Sequence, residues 1–211
     1  AGLMILAYYS VIAGWTIRYA IEAVLHGFSA AAGEHFGAVA SGADAVAYHI
    51  GFMVLTILIV VGGVKGGIER ASLILMPMLF LIVIGLAVWA TTLDGAGEGY
   101  AVYLKPDLDE LKNPTVWRAA AAQAFFSLSL GMGAMLTFAS YLRRDQNLPE
   151  SATVVAFTDF GVAFVAGLIV FPVIYSLGLQ GAVGASTVGA LFIALPSAFE
   201  AMGGAGRVVG L

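Results

Sequence analysis

Ser127, Ser129, the Gly131-Met132-Gly133 run and Asp159 have the types and spacing to hold a small cation and a solute. The serines and glycines lie in one apolar stretch, Gln123 to Tyr141 (QAFFSLSLGMGAMLTFASY). Inside lipid a helix must satisfy its own backbone, and unwound chain is tolerated only where protein or a water-filled cavity surrounds it. Glycines one residue apart therefore predict a break between Ser129 and Ala134. The half-helices on either side would offer unpaired backbone groups and dipole ends to a ligand. Glycine also permits close helix packing in membranes, and composition alone leaves the two readings open.

Asp159 lies well inside a second apolar run. A carboxylate at a helix centre costs roughly 2.5 to 3.5 kcal/mol on insertion scales, so it reads as a cation ligand or a protonatable group. The alternative is silent pairing with a cation on another helix. Ser127, Ser129 and Thr158 supply hydroxyl oxygens suited to a small hard cation, unless each bonds its own helix one turn back. Tyr8 and Tyr9 place phenols at depth in the first apolar segment, where a hydroxyl needs a partner. His26, His35 and His49 do not cluster and read as bland. With no HExxH, GxSxG or P-loop, the chain shows no catalytic apparatus and does not read as an enzyme.

The elements that position these residues follow from composition. The 211 residues are 61% hydrophobic and 10% charged, which places the chain among integral membrane proteins. A formal charge of −4 argues against a nucleic-acid partner. The absence of cysteine removes disulfides and thiolate sites. The first residues are already apolar, with no charged region before them, so they are not a signal peptide. The chain reads as a piece of a longer protein, with membrane segments before Ala1.

Five apolar segments are long enough for a hydrocarbon core of about 30 Å. Segment one is Gly2 to about Leu25, with Arg18 and Glu22 spaced to pair on one face. Gly27 to Asp44 reads as a loop. Segment two is about Ala45 to Val61, followed by a glycine-rich turn, Gly62 to Gly67. Segment three is Ile68 to about Leu93 and holds Pro77. Asp94 to Pro114 reads as a polar loop with a short helix at Asp107 to Lys112. Segment four, about Thr115 to Tyr141, contains the glycine break, and segment five is about Glu150 to Leu177. Gly178 to Gly206 reads as a re-entrant or surface hairpin. Lys65, Arg70, Arg143 and Arg144 mark the short connections as cytoplasmic by the positive-inside rule. Segments one, three and five then run outward.

These residues resemble the neurotransmitter:sodium symporter family, sodium-coupled transporters with the leucine-transporter fold. The resemblance is carried by Tyr8-Tyr9 with Gly14-Trp15-Thr16, by Lys65-Gly66-Gly67-Ile68-Glu69-Arg70, and by Pro106-Asp107 through Val116-Trp117. It continues through Gln123 to Tyr141 with Arg143-Arg144-Asp145-Gln146, and through the Pro196 hairpin. It implies an all-α integral membrane fold, part of an inverted-repeat bundle with about five transmembrane helices, one of them broken. That fold is itself the type case for sites built on broken helices. Residues 1–93 would end the first repeat as transmembrane helices 3 to 5, and 94–114 would be an extracellular loop. Residues 115–178 would begin the second repeat as helices 6 and 7, and 179–211 would form an extracellular hairpin.

The resemblance also implies roles. Tyr9 would hydrogen-bond a substrate carboxylate, Ile5 would line the pocket one turn earlier, and Phe126 would close over the substrate. Ser129, Gly131 and Met132 would line the pocket at the break, where many relatives have Phe in place of Met132. Ser127 and Asp159 would ligate sodium, with Asp159 standing where the family often has Asn and supplying the charge that chloride supplies elsewhere. Tyr141 would belong to a cytoplasmic gate. The implied function is sodium-coupled symport of a neutral amino acid by alternating access, in a multi-pass protein of the cell (inner) membrane. The implied partners are the sodium ion, a small-molecule substrate and the lipid bilayer. The alternative is a pore-forming or structural membrane module whose glycines serve helix packing.

Overall fold

In the computed structural model, residues 2–28, 31–143, 145–183, 188 and 190–210 are described. Arg144 of the basic run and residues 184–187 and 189 of the expected hairpin lie outside the described residues. In chain order the helices are α1 (Gly2–Leu25), α2 (Ala32–Ser41), α3 (Asp44–Val61), α4 (Glu69–Ala90), α5 (Ala96–Leu104) and α6 (Pro114–Ser127). They continue with α7 (Ala134–Ser140), α8 (Leu148–Ser176), α9 (Gln180–Val183), α10 (Leu195–Ala201) and α11 (Gly204–Val209).

Uninterrupted apolar runs become the long helices, because lipid leaves each segment to pair its own backbone. Four are long and apolar enough to span a membrane: Gly2–Leu25, Asp44–Val61, Val64–Ala90 and Leu148–Ser176. The fifth expected span is two short helices, α6 and α7, separated by residues 128–133. Caps fix the starts. Asn113 accepts from the Thr115 amide before α6, and Asn147 accepts from the Glu150 amide before α8. Each is followed by a proline in the first turn, where its missing N–H costs nothing.

Three expectations are corrected. The Gly27–Asp44 loop contains α2, whose Ala32, Phe36 and Val39 recur at helical spacing and turn into the core. The glycine-rich turn shrinks to Gly62 and Gly63, the latter at φ +73°, and a π-helical turn at Val64–Ile68 leads straight into α4. A Cβ on Gly67 would collide with the Ile59 carbonyl, which explains why that turn can close only on glycine. The polar loop 94–114 contains α5, and the short helix expected at 107–112 is a single 3-10 turn, Glu110–Lys112. Asn113, extended before Pro114, ends that turn.

α1 packs on α3, and α8 packs on α4 and α5. Gly14 of α1 meets the backbone of His49, near the start of α3, so the two helices run antiparallel and nearly touch. Gly99 of α5 lies against the backbone of Pro172, and Gly167 of α8 leaves room for the Tyr103 ring. The Tyr103 hydroxyl donates to the Phe164 carbonyl at 3.1 Å. The core gathers at one end. Leu86 of α4, Ile169 and Val173 of α8, Ala32 of α2, and Ile193, Ala194 and Ala198 form one buried cluster. Tyr19 of α1, Val39 and Phe192 form its neighbour. The C-terminal ends of α1, α4 and α8 therefore meet on one side, and these helices share a direction opposite to α3.

Candidate functional site

The break between α6 and α7 is built from left-handed backbone at alternate residues: Ser129 at φ +54°, Gly131 at +73° and Gly133 at +86°. α6 closes with the Leu130 amide bonded to the Phe125 carbonyl at 2.8 Å and the Ser129 amide to the Phe126 carbonyl at 3.1 Å. These two bonds form a Schellman cap, with Ser129 at the left-handed position that normally takes glycine. The end of α8 makes the same pair of bonds, from Leu179 to Ile174 and from Gly178 to Tyr175, and there the left-handed residue is Gly178. Ser129 is the one non-glycine residue with positive φ among the described residues. Such backbone costs a side-chain-bearing residue roughly 1 to 2 kcal/mol, and strain of this kind gathers at functional sites. Ser129→Gly is therefore expected to raise thermal stability, by up to about 1 kcal/mol, while weakening ligand binding. Parallel melting and binding curves would check this, and unchanged binding would reduce Ser129 to a tolerated irregularity.

Next to this cap, Ser127 donates its hydroxyl to Asp159 Oδ1 at 2.6 Å, joining α6 to the middle of α8. Ser127 does not bond its own helix, so that alternative is removed. The Tyr9 ring of α1 stands 5.9 Å from Phe126, at 31° between planes, and 5.9 Å from Tyr8 edge-on. Tyr9, Phe126, Ser127 and Asp159 thus come together from three helices. Ile5 lies one turn before Tyr9, partly buried. Ser129 and Gly131 line a cavity of about 670 Å³, closed on its other side by Ser151, Ala152 and Val155 of α8. Met132 is partly buried and does not line this cavity. Tyr141 stands apart, exposed at the end of α7. Thr158 is exposed on α8 beside Asp159.

The oxygen donors suit a small hard cation. Among the described residues no three His, Cys, Asp or Glu side chains converge, and the hydrogen-bond partner of Asp159 is the hydroxyl of Ser127. Neither α6 nor α7 buries a residue against the rest of the chain. Sequence reading missed the left-handed Ser129, for which no residue-type signal exists. It also missed the pairing of His35 with Glu22, although the Ala32-Phe36-Val39 spacing of α2 would have brought His35 to α1.

Residues 34–207 match the Sodium:neurotransmitter symporter family. An uncharacterized sodium-dependent transporter of Bacillus subtilis is 38% identical over 205 residues, covering 95% of this chain and 45% of that protein. One of Haemophilus influenzae is 34% identical, covering 93% of this chain and 44% of that protein. The chain thus spans less than half the length of these relatives. The sodium-dependent nutrient amino acid transporter 1 of Drosophila ananassae is 36% identical over 155 residues, 70% of this chain and 24% of that protein. The crystal structure of MhsT in complex with L-phenylalanine superposes with a TM-score of 0.89 at 42% identity, covering 99% of this chain and 48% of MhsT. Spanning helices, a helix broken beside a carboxylate, and these matches agree: this multi-pass membrane chain belongs to the sodium:neurotransmitter symporter family.

Proposed function

We propose that this chain supplies half of the binding site of a sodium-coupled symporter for a neutral amino acid, working by alternating access. The observation that carries this reading is the 2.6 Å contact of Ser127 with Asp159 at the end of a broken helix. A hydroxyl and a carboxylate oxygen so close can turn together onto one sodium ion, with the Ser127 hydrogen rotated away. Asp159 then supplies both a ligand and the negative charge that balances the ion. Tyr9 hydrogen-bonds the substrate carboxylate, and Phe126, in ring contact with it, closes over the substrate. Ser129, Gly131 and Met132 line the side of the pocket, with Ile5 a turn below Tyr9. The thioether of Met132 adapts to side chains of different shape. Tyr141, at the far end of α7, fits a gate on the opposite side of the membrane. The MhsT complex with L-phenylalanine and the Drosophila amino-acid transporter support the substrate class. Lys65, Arg70 and Arg143 support a cytoplasmic placement of the two short connections.

The test is sodium-dependent binding of a labelled neutral amino acid by the full-length protein. Tyr9→Phe removes one hydrogen bond to a charged group and is expected to weaken binding about tenfold. Gly131→Leu, which cannot hold φ +73° without strain, is expected to abolish it. Saturable binding without sodium coupling would point to another transporter class. Binding untouched by both substitutions would leave the glycines a packing role.

A further inference from the structure

We propose that Tyr103, seated in a notch of α8, positions the end of α6 against Asp159 and so tunes the affinity of the sodium site; this rests on the reading of Ser127 and Asp159 as sodium ligands. α5 runs antiparallel along α8, with Gly95 beside Ser176, Gly99 against the backbone of Pro172, and Tyr103 at Gly167. A spacing of four keeps these three residues on one face of α5. At the two glycines the missing side chain lets the backbones approach. At Tyr103 the notch belongs to α8, since a Cβ on Gly167 would overlap the ring. The ring stacks on Phe171 with centroids 4.9 Å apart and tilts against Phe164 at 5.7 Å. Its hydroxyl donates to the Phe164 carbonyl at 3.1 Å. Apolar contact is non-directional, whereas a ring in a notch with a hydrogen bond at its tip fixes where α5 sits along α8.

The segment after α5 carries this placement to the site. The Asp109 amide donates to Asp107 Oδ1 at 3.0 Å, and Lys112 Nζ donates to Asp109 Oδ1 at 2.7 Å. The Asn113 amide closes the 3-10 turn on the Glu110 carbonyl at 3.0 Å, and Asn113 Oδ1 caps α6 at the Thr115 amide. Trp117, in the first turn of α6, donates from Nε1 back to the Leu111 carbonyl at 2.6 Å. Bonded at each step, the chain from α5 to α6 moves as a unit rather than as a slack tether. α6 buries no residue of its own and packs on the 3-10 turn before it.

The path from Tyr103 to Ser127 therefore begins and ends on α8. Tyr103 donates to Phe164 and Ser127 donates to Asp159. Asp159 lies five positions before Phe164, about 7.5 Å along the helix at 1.5 Å per residue. The contact of Phe126 with the Tyr9 ring, at 5.9 Å between centroids, permits sliding and does not fix α6 along α8. A shift of α5 in its notch thus moves Ser127 against Asp159. A cation held between two oxygens tolerates only about 0.5 Å of misplacement. Tyr103 touches neither ion nor substrate in this arrangement and acts through α6, as a positioning residue.

Two measurements on the full-length protein in lipid nanodiscs test this, with Tyr103→Phe, which keeps the ring and removes only the hydroxyl. Hydrogen exchange at the break, residues 128–133, without sodium or amino acid, is expected to rise about fivefold, with α1 and α3 unchanged. The sodium needed for half-maximal binding of a labelled neutral amino acid is expected to rise about fivefold, with the amount bound at saturating sodium unchanged. Gly167→Ala, which expels the ring, is expected to make both changes larger and to add little to Tyr103→Ala, since the two remove one contact. If it fails to fold, Tyr103→Phe carries the test. Gly97→Ala, on the face of α5 where a Cβ meets nothing within 4 Å, is expected to change neither measurement. Unchanged exchange at the break in Tyr103→Phe overturns the proposal, as does exchange raised equally in α1 and α3, which marks lost stability alone. Raised exchange with an unchanged sodium requirement overturns it too. Sodium-independent binding by the unmodified protein overturns the sodium reading itself, and exchange at the break then decides alone whether Tyr103 places α6.

Discussion

Asp159→Ala in the full-length protein is expected to reduce sodium-driven uptake by about a hundredfold or more, equivalent to about 2.7 kcal/mol. The substitution removes the charged oxygen that Ser127 contacts at 2.6 Å and leaves the hydroxyl of Ser127 without its partner. On the proposed reading it also removes the negative charge that would balance the ion in the membrane interior. Asp159→Asn separates these effects. The amide keeps one oxygen ligand and can still accept from Ser127, so the fold at the break is retained while the charge is lost. Uptake by Asp159→Asn is expected to need more sodium and to become dependent on chloride, which restores the missing charge. If Asp159→Asn neither weakens sodium-driven uptake nor creates chloride dependence, the assignment of Asp159 to the ion is wrong.

The break in the fourth segment was legible because its residues violate the rules of a lipid-facing helix. Gly131 and Gly133 are costly there, and they marked the place where α6 gives way to α7, whereas the α8 that carries Asp159 stays continuous. The long helices were legible for the opposite reason, since Gly2–Leu25 and Leu148–Ser176 are long, mostly apolar runs, the second of them opening after Asn147 and closing before Gly178. What sequence reading did not reveal lies in the segments between spans. α2 and α5 are rich in alanine and glycine, and their polarity masks an apolar face that acquires meaning only against α8 and the C-terminal helices. His35 looked inert for the same reason, because its partner Glu22 becomes a neighbour only when α2 folds back. The left-handed turn at Ser129 is invisible in residue types, since a serine there reads as ordinary helix.

Gly14→Leu is expected to destabilise the protein by about 3 kcal/mol or more, enough to lose most folded material on detergent extraction. A Cβ at Gly14 would stand 2.7 Å from the His49 nitrogen and 2.9 Å from its Cα. Both are backbone atoms of a helix, so no side chain can swing aside, and relief requires α3 to move away from α1. That movement would separate the helix carrying Tyr9 from its support and disturb Arg18, whose guanidinium lies 3.5 Å from where a Cβ on Gly42 would stand, at the turn into α3. Gly14→Ala is expected to cost less, because only one carbon enters the contact. Gly51→Ala is the control, since a Cβ there meets nothing within 4 Å, and the change removes the conformational freedom of glycine from a helix interior. It is expected to be neutral or stabilising by up to about 1 kcal/mol. Melting temperatures of the three variants in the same detergent decide the point. If Gly14→Leu melts with the unmodified protein, the α1–α3 contact is looser than its backbone distances indicate, and the glycine there is not what holds the first two spans together.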